Sequence, residues 1–324
     1  MPDEILRYAG FAPESEFDGD PAPSADFHVD IASAGLDTPG DDSILTYGGG
    51  IGRARNIWRP GFYAPEGNIQ FATDIKTIAW VLKWALGGYS FNDTDEEHEI
   101  WGSTVRNLPT FATRLGKDLF EHVFTGCAVN SFSLEVEDEF ASVTMDVVAA
   151  RDKREDIKSV GDLSLREDYP VAFHEVTFKL NEDEDISAKV RSLELEVDNN
   201  IDSGDGRGLG SRHPYRLPAA EREVGLSLEL WFDDMSELER FWGGPDGPTA
   251  GGQEEFKSSI ALDAGEAGSA EIVLPRCVYG DVETQPSGRD NIEQSAEAMA
   301  FRAEHEGRDT EIHCIVKNDE GELG

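Results

Sequence analysis

The sequence predicts a mainly β protein with a minor helical part, built from two copies of one β-sandwich or half-barrel module, each flanked by a short helix. Three observations lead there. Beyond residue 107, apolar and polar residues alternate over most of the chain, the period of a half-buried strand. Helical spacing is confined to short segments, the clearest being those that run from an acidic cap to a double glycine. These capped helices, with strands and cysteines in matching places around them, recur at an offset of about 150 residues, the mark of an internal repeat.

The first copy begins obscurely. Residues 1–43 are rich in Pro, Gly, Asp and Ser, with apolar residues too scattered to build a domain, and read as an extended arm or loops with a short strand at "FHVDIA". A first module is expected over 44–155, opening on a short strand at "SILTY". Ile69 and Phe71 then alternate with Asn68 and Gln70 in a strand that ends near Asp74. The Asp74 carboxylate suits the cap of the next helix, since it accepts the orphan N–H groups of a first turn. Within that helix Ile75, Ile78, Val81, Leu82, Ala85 and Leu86 share one side, and Gly87-Gly88 ends it. The segment 125–152 reads as two strands, Phe132, Leu134 and Val136 alternating in one and Val143, Met145 and Val147 in the other, joined at Glu137-Asp138-Glu139.

Residues 156–170 carry mixed charge and read as a connection to a second module over 171–324. Strands are expected at "VAFHEVTFKL", "KVRSLELEVDNNI", "EVGLSLELWF", "SSIALDAG", "AEIVLPRCVYGDVE", "QSAEAMAFRAE" and "TEIHCIVKN". "GLSLELWFDDMSELERFWGG" repeats the order of strand, acidic cap, helix and double glycine, and Cys277 stands where Cys127 does in the first copy.

Charge limits the function. The 324 residues hold 66 Asp and Glu against 28 Lys and Arg, a formal charge of -38, and only nine of the cations are lysine. This composition resembles proteins of extreme halophiles, in which near-molar salt shrinks the Debye length to roughly 3 Å and removes self-repulsion. It argues against sequence-specific DNA binding, which needs clustered Lys and Arg. Cys127, Cys277 and Cys314 are far apart, lack zinc or redox spacing, and read as small buried hydrophobes. The N-terminus has no signal-peptide pattern, and no window reaches the ~18 apolar residues of a membrane span.

Catalytic signals are missing. The seven histidines never form a close pair, and nucleophile-elbow, P-loop and dinucleotide fingerprints do not occur. "DNNIDSGDGRG" loosely resembles a calcium loop but lacks the closing Glu, so it reads as a polar loop, and neither a cofactor nor a metal is expected. The arginines are more informative. Arg53, Arg55 and Arg59 fall in "GIGRARNIWRP", and Arg207, Arg212 and Arg216 in "GRGLGSRHPYRLP" beside His213 and Tyr215. In so acidic a chain, such clusters suit docking to an acidic neighbouring subunit, because Arg pairs carboxylates bidentately. The loop of some twenty residues between Asn200 and Glu223 is long enough to imply a partner. Trp80 and Trp84, on the unusually apolar first helix, are further candidates for a contact between modules.

This order of features resembles the tail tube proteins of long-tailed viruses from about residue 44 onward. "GNIQFATDIKTIAWVLKWALGG" resembles the family's strand leading into a helix beside the tube wall. The segment from "KVRSLELEVDNNI" through "LGSRHPYRLPAAEREVGLSLELWFDD" resembles its strand, long loop and returning strand, and "QSAEAMAFRAEHEGRDTEIHCIVKN" its last strand pair. The resemblance implies a structural virion protein, not an enzyme, assembled in the host cytoplasm into stacked rings that conduct DNA on ejection. Its implied partners are copies of itself, the tape measure, tail terminator and baseplate proteins, and DNA in transit without sequence-specific binding, with no membrane. With the composition, it implies a virus of a halophilic archaeon. Rings of six modules allow either three chains, or six with the second copy turned outward as decoration; the differing charge and loop lengths of the copies lean towards six. A baseplate or capsid protein is the nearest alternative, followed by a carbohydrate-binding module or glycosidase on a β-sandwich.

Overall fold

The computed structural model describes residues 5–20, 22–40, 44–47, 57–137, 139–166, 169–181, 184–285 and 292–324. The first part of the chain forms strands β1 (Tyr8–Pro13), β2 (Phe27–Asp30), β3 (Ser33–Ala34), β4 (Ile44–Tyr47), β5 (Ile57–Pro60) and β6 (Glu66–Ala72), then helix α1 (Ile75–Leu86). There follow β7 (Gly87–Asn92), β8 (Glu97–Gly102), β9 (Phe111–Gly116), β10 (Glu121–Val136), β11 (Ala141–Val148) and β12 (Arg151–Glu155). The second part forms β13 (Val176–Leu180), β14 (Glu184–Asp185), β15 (Val190–Asp198), β16 (Glu223–Trp231), helix α2 (Ser236–Trp242) and β17 (Phe256–Asp263). It ends with β18 (Ser269–Gln285), β19 (Glu293–Ala300), β20 (Ala303–His305), β21 (Arg308–Thr310) and β22 (His313–Lys317).

One pairing scheme occurs twice. In the first copy β6 pairs with β11 and β11 with β10, while the N-terminal half of β10 pairs with β9 and β12. In the second, β16 pairs with β19 and β19 with β18, while the N-terminal half of β18 pairs with β17 and β22. Beyond β9 lie β1 and β2; beyond β17 lie β13 and β14. Cys127 stands opposite Phe111 and Cys277 opposite Phe256, each beside an irregularity in its ladder. All three cysteines are buried, as small apolar groups.

The segment expected to be an arm is part of this scheme. β1 is buried along almost its whole length between β2 and β9, and covering both faces erases the alternation that would have announced it. The first copy therefore starts its pairing at Tyr8, upstream of residue 44.

α1 forms where its spacing and caps require. Asp74 accepts from the Thr77 N–H at 2.7 Å, and Gly87 takes the left-handed φ of 76° while its N–H bonds the Lys83 carbonyl. The helix buries Trp84 against Phe111, ring centroids 4.4 Å apart, with Phe11 and Phe27 alongside. These rings join one apolar core that runs through both copies.

Candidate functional site

The two copies meet at two strand pairings, β8 with β22 and β10 with β15, and the second makes a single sheet of them. The C-terminal half of β10 pairs antiparallel with β15, from Ser131 opposite Asp198 to Val136 opposite Leu193. This joins β3, β6, β11, β10, β15, β16, β19 and β18 into one continuous run. On its inner face Phe132, Leu134, Val136, Leu193, Leu195 and Val197 are buried across the seam. Asn199, itself buried, donates from Nδ2 to the carbonyls of Ala85 at 3.0 Å and Val129 at 3.1 Å. Arg222 donates to the Ser103 carbonyl at 2.7 Å, the Leu86 carbonyl at 3.4 Å and Glu311 at 2.6 Å. A cation there also suits the negative end of the α1 dipole. Both residues come from the second copy and close on the end of the first copy's helix. As lone polar residues flanking a loop, they carry no motif, and the sequence did not single them out.

The outer face of the same sheet is acidic. Its registered positions run Ala72, Ser142, Glu135, Glu194, Ser227, Glu297 and Asp281 in one row, and Gln70, Thr144, Ser133, Glu196, Gly225 and Met299 in the next. Neither row contains Lys or Arg. Glu135 stands opposite Glu194, and Glu297 opposite Asp281. Desolvation, followed by the charges of Glu135 and Glu196, raises the Glu194 pKa. Arg191, at the β15 bulge, pairs with Glu293 and lies over the Trp231 ring.

The sheet has two ends. Among the described residues, no strand pairs with the far edge of β18 beyond Cys277, nor with the far edge of β3. Such edges are templates for another chain. They are also equivalent to the two edges already joined at the seam, because β18 corresponds to β10, and β3 flanks β6 as β15 flanks β16.

The candidate residues from the sequence separate into three groups. Arg53 and Arg55 lie outside the described residues, while Arg59 is exposed on β5. The long loop is largely docked on the first copy: Ile201, Leu217 and Ala219 pack with Leu108, Ala128 and Val148, and the Arg212 carbonyl accepts from the Tyr63 N–H at 2.7 Å. Its Asp202 serves a local turn, accepting from Gly204 at 2.7 Å. Arg207 lies 4.4 Å above the Phe62 ring, Arg212 donates to the Gly61 carbonyl at 2.9 Å, and His213 meets the Tyr63 ring edge-on. Tyr215, Arg216 and the wholly uncovered Leu209 face solvent at the tip. The tryptophans are enclosed by their own chain. Trp84 is 1% exposed, and Trp80, 7% exposed, donates to Glu320 at 3.1 Å. Covering by β2 and the C-terminal segment is long-range, so helical spacing alone had left those indoles looking available.

Among the described residues no helix is long and apolar enough to cross a membrane. The sequence matches no curated protein. Over residues 8–300 it matches the family described as phage tail tube protein, a span that takes in the first copy, the seam and the second copy through β19. With a mainly β fold and that match over nearly its whole length, the chain belongs to the phage tail tube protein family, a structural protein of the virion tail.

Proposed function

We propose that three chains join edge to edge into a ring of six modules, and that stacked rings form the tube through which DNA is ejected. The first module runs from β1 to β12 and the second from β13 to β22. One observation carries this reading: the β10–β15 seam places both copies consecutively in one sheet and leaves an equivalent pair of edges open at its ends. Each new junction then repeats the internal one, with β18 of one chain meeting β3 of the next. A heterologous contact of this kind closes when its rotation divides a full turn. An outward-turned second copy in a six-chain ring would require β15 to leave the edge of β10.

The acidic outer face lines the lumen in this arrangement. Like charge keeps the passing duplex from adhering, which favours transit over binding. The exposed loop tip around Leu209, Tyr215 and Arg216, together with Arg59, is assigned to contacts between stacked rings, where scarce cations meet carboxylates of the next ring. The surface charge suits a virus of a halophile, with assembly promoted by molar salt. Electron microscopy of the purified protein in molar salt tests the reading. Regular hollow tubes or rings are expected; a protein that stays monomeric across salt and protein concentration would refute it.

A further inference from the structure

The β20–β21 hairpin brings together two histidines that are eight residues apart in the sequence. Its turn contains only Glu306 and Gly307, both at positive φ (48° and 80°), the backbone of a tight two-residue hairpin. His305 and Arg308 form the last rung above that turn. Arg308 ties the hairpin down, bonding both Glu99 oxygens at 2.8 and 2.7 Å and lying 3.6 Å over the Trp101 ring. Trp101 in turn stands opposite His313 in the β8–β22 ladder. The His305 and His313 rings consequently meet edge to face, centroids 5.3 Å apart, and the ligand atoms of His305, Glu306 and His313 lie within 4.8 Å of one another.

We propose that His305, Glu306 and His313 bind a divalent transition-metal cation of the zinc type. Two imidazoles and one carboxylate are a donor set that zinc accepts, with water completing a tetrahedron. Ligands about 2.1 Å from a tetrahedral zinc lie about 3.4 Å apart, so side-chain rotations must draw the three groups together from their spacing of up to 4.8 Å, and Glu306 is exposed and free of the strand ladders. His313 is held in place: its Nε2 lies 3.2 Å from a Glu99 oxygen, and the ring is buried. A carboxylate behind a histidine ligand fixes the ring and raises its basicity. Lys257 and Glu271 line the same cavity, so with Glu306 the surroundings carry one positive and two negative groups. Metal binding here would staple the hairpin to β22, independently of how chains assemble.

The test uses the full chain, stripped with chelator and held in molar NaCl at neutral pH, titrated with Zn2+ in a calorimeter and melted with and without the metal. One zinc per chain and a zinc-dependent rise in melting temperature are expected. His305→Ala should weaken binding at least tenfold and abolish the rise, and Glu306→Gln should weaken it several-fold; circular dichroism confirms that each variant folds. Should His305→Ala misfold, His305→Gln takes its place. The proposal is overturned if the unaltered chain binds no zinc, or if folded His305 variants bind as tightly, the behaviour expected of scattered surface carboxylates.

Discussion

α1 and α2 hold the same place in the two copies, and different chemistry secures them. α1 has twelve residues, a carboxylate cap at Asp74 and ten buried side chains, Trp80 and Trp84 among them. α2 has seven residues and Glu237 as its buried residue. The acidic cap expected from the sequence does not form there: Met235 is the N-cap, without a side-chain bond, and Asp234 accepts from the Ser236 N–H at 3.0 Å. Where Trp84 stacks on Phe111, the second copy sets a polar network: Glu237 accepts from the Tyr279 hydroxyl at 2.7 Å, and Arg240 bonds Glu184 at 3.0 Å. Strand pairing is therefore what the repeat preserves, while the cement between helix and sheet is free to change. An aromatic core draws on area removed from water; a buried carboxylate stays only while its donors do.

The contrast predicts unequal responses to truncation. Trp84→Ala should cost about 3–5 kcal/mol in denaturant unfolding, since a large ring leaves a cavity that the surrounding sheet cannot fill. A variant within 1 kcal/mol of the parent, an order-of-magnitude margin, would show that the aromatic cluster is not what holds α1. Tyr279→Phe should cost less, about 1–3 kcal/mol, by removing a donor from the buried Glu237. No loss of stability there would show that Glu237 finds another partner.

Carboxylates in the two copies should also respond oppositely to acid. Burial raises the pKa of Glu237 more than Tyr279 and Arg240 lower it. Its stabilising share is thus complete below the ordinary value of 4.5 and fades as pH rises through the folded pKa. For Asp152, burial pushes upward, but hydrogen bonds from His122, Thr38 and Tyr63 outweigh it and hold the pKa at about 2. Its share is present above the ordinary 3.8 and is lost as pH falls through about 2. Unfolding curves of Asp152→Asn against the parent should show a stability gap above pH 3.8 that closes towards pH 2. A gap constant over that window would contradict the assignment. The smallest effect is expected at the seam, where Glu194→Gln relieves the charge facing Glu135. It should add roughly 0.2–1 kcal/mol at low salt and nothing in molar salt. A gain that persisted in molar salt would require another cause.

The parts of the fold that were legible in the sequence are those written locally. Asp74 and Gly87 mark the ends of α1, alternation marks β10, β11, β15 and β16, and the matching cysteines disclosed the repeat. β1 stayed hidden because both its faces are covered. The seam was invisible for another reason: β15 alternates in the same way whether its neighbour is β10, another chain or solvent. Asn199 and Arg222 gain their meaning only from carbonyls brought near by that seam. The loop arginines stand out in the sequence among glycines and aromatics, but the contacts of Arg207 and Arg212 with Phe62 and Gly61 lie within the chain and depend on the docking of the loop, which spacing does not show. Likewise, the pairing of His305 with His313 depends on a hairpin turn and a ladder, neither of which spacing reveals.

The central claim is that one chain supplies two consecutive units of the tube wall. Cryo-electron microscopy of tubes assembled in molar salt measures this through the rotational symmetry of a ring. Three-fold symmetry is predicted, with β18 of each chain beside β3 of the next and the acidic face inward. Six-fold symmetry, with one copy of each chain in the wall and the other outside it, would contradict the account.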